Sequence, residues 1–289
     1  MRVGQYDMKF GVNTWVWTSP LTTEALSNLI PKVAKLGFGW VELPLENLDD
    51  FDHETAASLI QDYDLGVSAC AVMTSDRDLI HPDESIRKNG MAYIRHAIEA
   101  TQTIGAANLV GPIYSAVGRV WQAAPQERAR DIDILVDNLR LLAAYAAEHE
   151  VILCIEPLNR FETSFINLAE QAVELVDRVD HSSCRIMLDT FHMNIEEKSL
   201  GDAIRAVGLR LQHVHACEND RGAPGSGNVT WEAVAKALKE IHYDGPVVIE
   251  SFTPEVKSIA RAVSIWRPLA ASQDALAADG LAFLKHLLA

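Results

Sequence analysis

Four ionisable residues, Glu156, Asp189, His215 and Glu250, each end a short apolar run: VILCIE, RIMLD, LQHVH and PVVIE. Three carboxylates and one imidazole make a donor set for a fairly hard divalent cation such as Mn2+, Mg2+ or Co2+. Zn2+ usually takes more His or Cys. One acidic residue after a strand is ordinarily a helix cap or a solvated loop residue. The same placement on four successive runs means more. If the runs are neighbouring strands, the side chains share one end of a sheet. Three carboxylates crowded there resist ionisation unless a cation neutralises them. Further polar groups follow these runs: Glu162 in EPLNRFET, His192 in DTFH, and Glu218 and Arg221 in HACENDRGAPGSG. Each is a candidate hydrogen-bonding group for a substrate, with a loop salt bridge as the ordinary alternative. His213 faces the same way as His215, one layer deeper, and reads as a hydrogen-bonded interior histidine. The stretch RGAPGSG brings one arginine and no lysine, too little positive charge for a phosphate clamp. It reads as a turn that aims Arg221 at a neutral polyol.

Such a constellation needs elements that bring the four run ends together. Val-, Ile- and Leu-rich runs centre on 9–16, 38–43, 66–73, 107–111, 151–156, 185–189, 211–216 and 246–251. They have the character of parallel strands buried on both faces. Between them lie amphipathic stretches near 22–36, 53–64, 84–104, 126–149, 168–179, 199–208 and 230–241. Thr22 with Thr23, Asp83, Asn167 and Thr230 are the expected N-caps. More helix is expected near 255–265 and 273–288, so that 255–289 forms a C-terminal helical segment and 1–7 a short tail. Strand and helix alternate eight times. With right-handed crossovers this gives a closed barrel or a long doubly wound sheet. The first strand–helix turn lacks a GxGxxG signature, and the count of eight favours an α/β fold of the (β/α)8 TIM-barrel class. No Pro/Gly/Ser-rich linker divides the 289 residues, so one domain is expected. In such barrels the chemistry sits at the C-terminal ends of the strands, where the four residues stand.

Composition excludes several other roles. The net charge of −15 disfavours nucleic acid and anionic membrane surfaces, both of which call for a basic patch. No run approaches the roughly 20 apolar residues of a membrane span. The N-terminal MRVGQYDMKF lacks the apolar core of a secretion signal. Cys70, Cys154, Cys184 and Cys217 form no CxxC pair, and buried free thiols fit a reducing, cytoplasmic setting.

The motifs KFGVNTWVWTSP, IEPLNRFET, MLDTFHMNIEE, HVHACENDRGAPGSG, VVIESF, SIWRPLA and ALAADGLAFLK resemble those of the ketose 3-epimerases. That group comprises the D-tagatose, D-psicose and L-ribulose 3-epimerases, within the sugar isomerase/endonuclease IV-like barrels. The resemblance runs over nearly the whole chain. It implies metal-dependent inversion at C3 of free ketoses such as D-tagatose, D-fructose, D-psicose and L-ribulose. It further implies one divalent ion, Mn2+ foremost with Mg2+ or Co2+ as alternatives, held by Glu156, Asp189, His215 and Glu250. Glu156 and Glu250 would double as the acid/base pair, exchanging the C3 proton through an enediolate. Glu162, His192 and Arg221 would contact the substrate, with Trp15, Cys70 and Trp121 on the apolar side of the pocket. The loop 115–121 departs most from the family pattern and carries no readable substrate preference. A homodimer or homotetramer is also implied. Two isomerase readings of the same site stay open, aldose–ketose and hydroxypyruvate isomerase, as does a non-catalytic sugar-binding protein. A DNA repair endonuclease of this superfamily would need more metal ligands and a basic surface.

Overall fold

The apolar runs form eight short parallel strands in a computed structural model that describes residues 8–288; the expected tail at 1–7 lies outside them. The strands are β1 (Lys9–Asn13), β2 (Trp40–Pro44), β3 (Gly66–Cys70), β4 (Asn108–Gly111), β5 (Ile152–Ile155), β6 (Cys184–Asp189), β7 (Leu211–Ala216) and β8 (Pro246–Ile249). They pair in sequence order, and β1 closes on β8. The fold is therefore the (β/α)8 barrel that the alternation predicts.

The helices are α1 (Thr23–Leu36), α2 (His53–Asp62), α3 (Glu84–Ile104), α4 (Pro125–Glu148), α5 (Ala169–Val179), α6 (Thr190–Glu196), α7 (Leu200–Val207), α8 (Trp231–Glu240), α9 (Lys257–Ala262) and α10 (Gln273–Leu288). Thr22 and Asp83 cap as expected, accepting from Ala25 N at 3.2 Å and Ser85 N at 2.8 Å. Asn167 does not cap α5: its amide holds the carbonyls of Leu158 and Thr163 at 2.8 and 2.9 Å. Gln171 instead reaches back to the N–H groups of Asn167 and Leu168. Thr230 makes no side-chain capping bond.

Two local departures from the expected elements bear on the site, and a third feature matches expectation. The first strand stops at Asn13, because the Asn13 side chain accepts from Trp15 N at 2.9 Å and starts a single 3-10 turn over Thr14–Val16. Helix α6 follows β6 with no loop between them. It has seven residues, too few to show a helical period in sequence. The C-terminal segment forms two helices, as expected near 255–265 and 273–288. Helix α9 lies at the mouth of the barrel, where Ile259 and Ala262 line a cleft. Helix α10 buries Leu276, Leu281 and Leu284 against β1, β8 and α8 as the outer helix of the last unit.

The main core lies between strands and helices, and a second apolar cluster inside the barrel includes Trp15, Cys70, Val110, Met187 and Phe252. Burial of this kind is the chief stabilising contribution in a barrel of this size, at about 25 cal/mol per Å2. All four cysteines are buried and unpaired. Among the described residues no helix is long and apolar enough to cross a membrane.

Candidate active site

At the C-terminal ends of the strands lies a cleft of about 370 Å3, a size that suits a small ligand. Glu156, Glu162, His192, Arg221 and Glu250 form its polar floor. Trp15, Cys70, Val72, Phe252, Ile259 and Val263 form its apolar wall. The rings of Trp15 and Phe252 sit 5.3 Å apart, and the Trp15 indole donates to Glu46 Oε1 at 2.7 Å.

The four strand-end residues converge. Glu156 and Glu250 follow β5 and β8, Asp189 ends β6, and His215 lies one residue from the end of β7. Register places Asp189 beside His215. All four are at most 5 % exposed. Donor atoms of Glu156, Asp189 and His215 lie within 4.8 Å of one another, as do those of Asp189, Cys217 and Glu250. His215 Nδ1 lies 3.3 Å from Glu250 Oε1 and has no well-directed hydrogen bond. A buried imidazole nitrogen left open toward three carboxylates fits a cation ligand, and the donor set suits a hard or borderline divalent ion.

Local chemistry fixes the floor. Asp189 caps α6 through Oδ1, which accepts from Phe191 N at 2.8 Å, and so turns Oδ2 inward. Arg221 Nη1 donates to that Oδ2 and to Glu250 Oε2, both at 2.6 Å. Its guanidinium lies 3.9 Å over the ring of Phe191. The Arg221 backbone sits in the left-handed region at φ 67°, which a non-glycine residue adopts only when its surroundings hold it there. Ser251 Oγ does so by donating to Arg221 O at 2.6 Å. Glu218 anchors the same loop. Its carboxylate accepts from Gly225 N, Val229 N and Trp231 Nε1 at 2.8–2.9 Å. It is thereby a loop anchor and is absent from the cleft lining.

His192 is oriented by a backbone donor. Asn159 N donates to its Nδ1 at 3.1 Å, so in the neutral ring the proton sits on Nε2. Nε2 faces the cleft, 3.7 Å from both Glu156 Oε1 and Asp189 Oδ2. Arg221 Nη2 lies 3.3 Å from it. Two N–H donors this close call for a shared oxygen acceptor. Asn159 Nδ2 also donates to Glu162 Oε1 at 2.8 Å, which leaves Oε2 for a hydroxyl.

Burial and neighbours split the carboxylates. Burial pushes Glu156 well above the usual carboxylate range, with Glu250 and Asp189 adding to the rise. Burial also raises Asp189, against the pull of Arg221. In Glu250 burial acts upward but His215 and Arg221 outweigh it, and the group is held below its ordinary value. Burial raises Glu162. His192 is held well below the ordinary histidine value by burial and by the cations Arg221 and His215. In His215 burial is overcome by Glu42 and Glu250, and the ring is held protonated. A cation on Nδ1 would displace that proton.

Trp121 is not brought to the cleft. It is 51 % exposed, stacks 4.6 Å from the Arg119 guanidinium, and lines a separate groove with Arg128 and Arg160. Arg119 is drawn away by its 2.6 Å bond to buried Asp131, and the loop follows it. Trp15 and Cys70 do line the cleft.

One buried carboxylate escaped the sequence reading. Glu42 on β2 is fully buried, with Oε1 2.7 Å from His215 Nε2 and Oε2 2.9 Å from His213 Nε2. Its signal was a charge inside the apolar run WVELP, level with Asn13 and Ser68 on the flanking strands.

Comparison with known proteins places this geometry in context. The profile of the family described as "Xylose isomerase-like TIM barrel" matches residues 30–287. A probable ketose 3-epimerase of Synechocystis sp. is 34% identical over 96% of this chain and 96% of its own. A ketose 3-epimerase of Arthrobacter globiformis is 32% identical over 97% of each chain. The crystal structure of D-allulose 3-epimerase from Methylomonas sp. in complex with D-allulose superposes with a TM-score of 0.90. It is 30% identical and covers 98% of both chains.

Proposed function

Because the chain belongs to the xylose isomerase-like TIM-barrel family, and within it to the ketose 3-epimerases, we propose that it inverts C3 of free ketoses. Ketohexoses such as D-fructose, D-psicose and D-tagatose and ketopentoses such as L-ribulose are the proposed substrates. The observation that carries this reading is the pair Glu156 and Glu250, which face one cleft from strands separated by β6 and β7. Inversion through a planar intermediate needs one proton acceptor on each face of the substrate, and two carboxylates reaching in from separated strands meet that need.

The proton at C3 is acidic because C2 is a carbonyl. One glutamate takes it, and the other delivers a proton to the opposite face of the enediolate. His192 Nε2–H and Arg221 donate toward the sugar oxygens next to the reacting carbon. Glu162 accepts from a neighbouring hydroxyl. Trp15, Phe252, Val72 and Ile259 pack on the carbon chain and keep water from the enediolate. Glu156, Asp189, His215 and Glu250 would hold one divalent ion, with Mn2+ proposed ahead of Mg2+ and Co2+. When bound, such an ion polarises the ketose carbonyl and stabilises negative charge on the enediolate oxygens.

The test is product analysis. Protein stripped with a chelator and reloaded with Mn2+ is incubated with D-fructose, D-tagatose and L-ribulose, and the sugars are separated by chromatography. The reading expects the C3 epimer of each. An aldose product would replace epimerase with isomerase on the same site. Binding of all three sugars without turnover would point to a sugar-binding protein.

A further inference from the structure

Asn13, Glu42 and Ser68 stand level on β1, β2 and β3, and each is buried. None lines the cleft, yet their side chains make one directed network ending on a residue of the site. Asn13 Oδ1 is taken by Trp15 N at 2.9 Å, so its amide N–H turns to Glu42 Oε1, also at 2.9 Å. Ser68 Oγ accepts from the Trp40 indole at 3.1 Å and so gives its own proton to Glu42 Oε2 at 2.8 Å. The carboxylate is thus pinned from both sides, with its remaining contacts directed at the histidines. Its Oε1 lies 2.7 Å from His215 Nε2. A carboxylate in this network can only accept, so Nε2 is the nitrogen that carries hydrogen. The other nitrogen, Nδ1, is then the one presented to Glu156, Asp189 and Glu250.

We infer that Glu42 is a positioning residue: it fixes the ring of His215 so that Nδ1 faces the carboxylate cluster as a metal ligand. This inference rests on reading Glu156, Asp189, His215 and Glu250 as a divalent-cation site. The physical reason is general. A histidine ligand held by a carboxylate on its far nitrogen is restricted in orientation and made more basic, and loss of that partner typically weakens metal binding 10–100-fold. Glu42 therefore acts through His215 and not on the substrate.

The experiment measures Mn2+ affinity directly, by electron paramagnetic resonance of free Mn2+ during titration of the metal-stripped protein. The melting curve of each metal-free protein reports folding. Wild type is expected to bind one Mn2+, and Glu42→Gln, which keeps the volume, to bind it about 10–100-fold more weakly. Ser68→Ala leaves the carboxylate but removes one of its two fixing donors, and is expected to weaken Mn2+ binding several-fold. If Glu42→Gln melts cooperatively and binds Mn2+ within twofold of wild type, the inference is overturned. If Glu42→Gln does not fold, Ser68→Ala decides by the same twofold criterion. A wild type that binds no Mn2+ overturns the reading of the site itself, an outcome distinct from equal binding by wild type and variant.

Discussion

Replacing each of the two proposed proton-transfer residues by its amide tests the roles separately. Glu156→Gln and Glu250→Gln keep the shape and leave an oxygen able to face a cation, but neither amide transfers a proton at neutral pH. Loss of a positioned acid/base group lowers rates by about 10^2–10^4, or about 3–5 kcal/mol in the barrier. The stability costs should differ. Glu156 is already pushed toward its neutral form by burial and by Glu250 and Asp189, so its amide should be tolerated. Glu250 is held ionised and takes a 2.6 Å charge-assisted bond from Arg221, so its amide should cost about 1.5–3 kcal/mol. The assay follows C3–H exchange and epimer formation together by NMR in D2O, at saturating Mn2+. Each variant should lose epimerisation, yet keep exchange with the one epimer whose C3 proton faces the surviving carboxylate. The two variants should exchange opposite epimers. Exchange of the same epimer by both, or a near-normal rate in either, would refute the two-base assignment.

Arg221→Ala should raise KM about 10–100-fold, since charge-assisted hydrogen bonds contribute about 1.5–3 kcal/mol; an unchanged KM in steady-state assays would assign Arg221 to the fold alone. Chelation should abolish turnover, and Mn2+ at 100 times its Kd should stabilise the protein by about 2.7 kcal/mol. That is a rise of roughly 4–8 °C in Tm by calorimetry, and no rise would argue against a specific ion. Arg160 pairs with Glu196 at 2.8 and 2.9 Å, tying the loop that carries Glu162 to the helix that carries His192. In Glu196 burial acts upward but the Arg160 bonds prevail, and its folded value lies below the ordinary 4.5. A depressed carboxylate stabilises the fold above its unfolded value and loses that contribution as pH falls through the folded one. The stability gap between wild type and Glu196→Gln, measured by urea melts, should thus be present at pH 7 and shrink below about pH 4.5.

The parts of the fold legible in sequence are those governed by short-range rules. Parallel barrel strands are buried on both faces and so read as apolar runs. A polar residue ending such a run stands out, which is why Glu156, Asp189, His215 and Glu250 could be picked by position. Glu42 could not, because its partners His213 and His215 lie 171 and 173 positions away and only ring closure brings them together. Helix α6 was hidden by its length and by the absence of a loop before it. Trp121 is assigned to the pocket by resemblance alone, in the loop least like the family. Its true position depends on the buried Arg119–Asp131 pair, which links a loop to the face of α4. Glu218 looked like a substrate contact because the loop is polar, whereas its three donors arise from the loop's own folding.

The most direct test of the central claim is where solvent hydrogen enters the sugar. Metal-loaded protein is incubated with D-fructose in D2O, and the products are examined by 1H and 13C NMR. Epimerisation through Glu156 and Glu250 predicts D-psicose carrying deuterium at C3 and at no other carbon. Deuterium at C1 or C2, or an aldose in the mixture, would contradict the account and assign the same cleft to an isomerase.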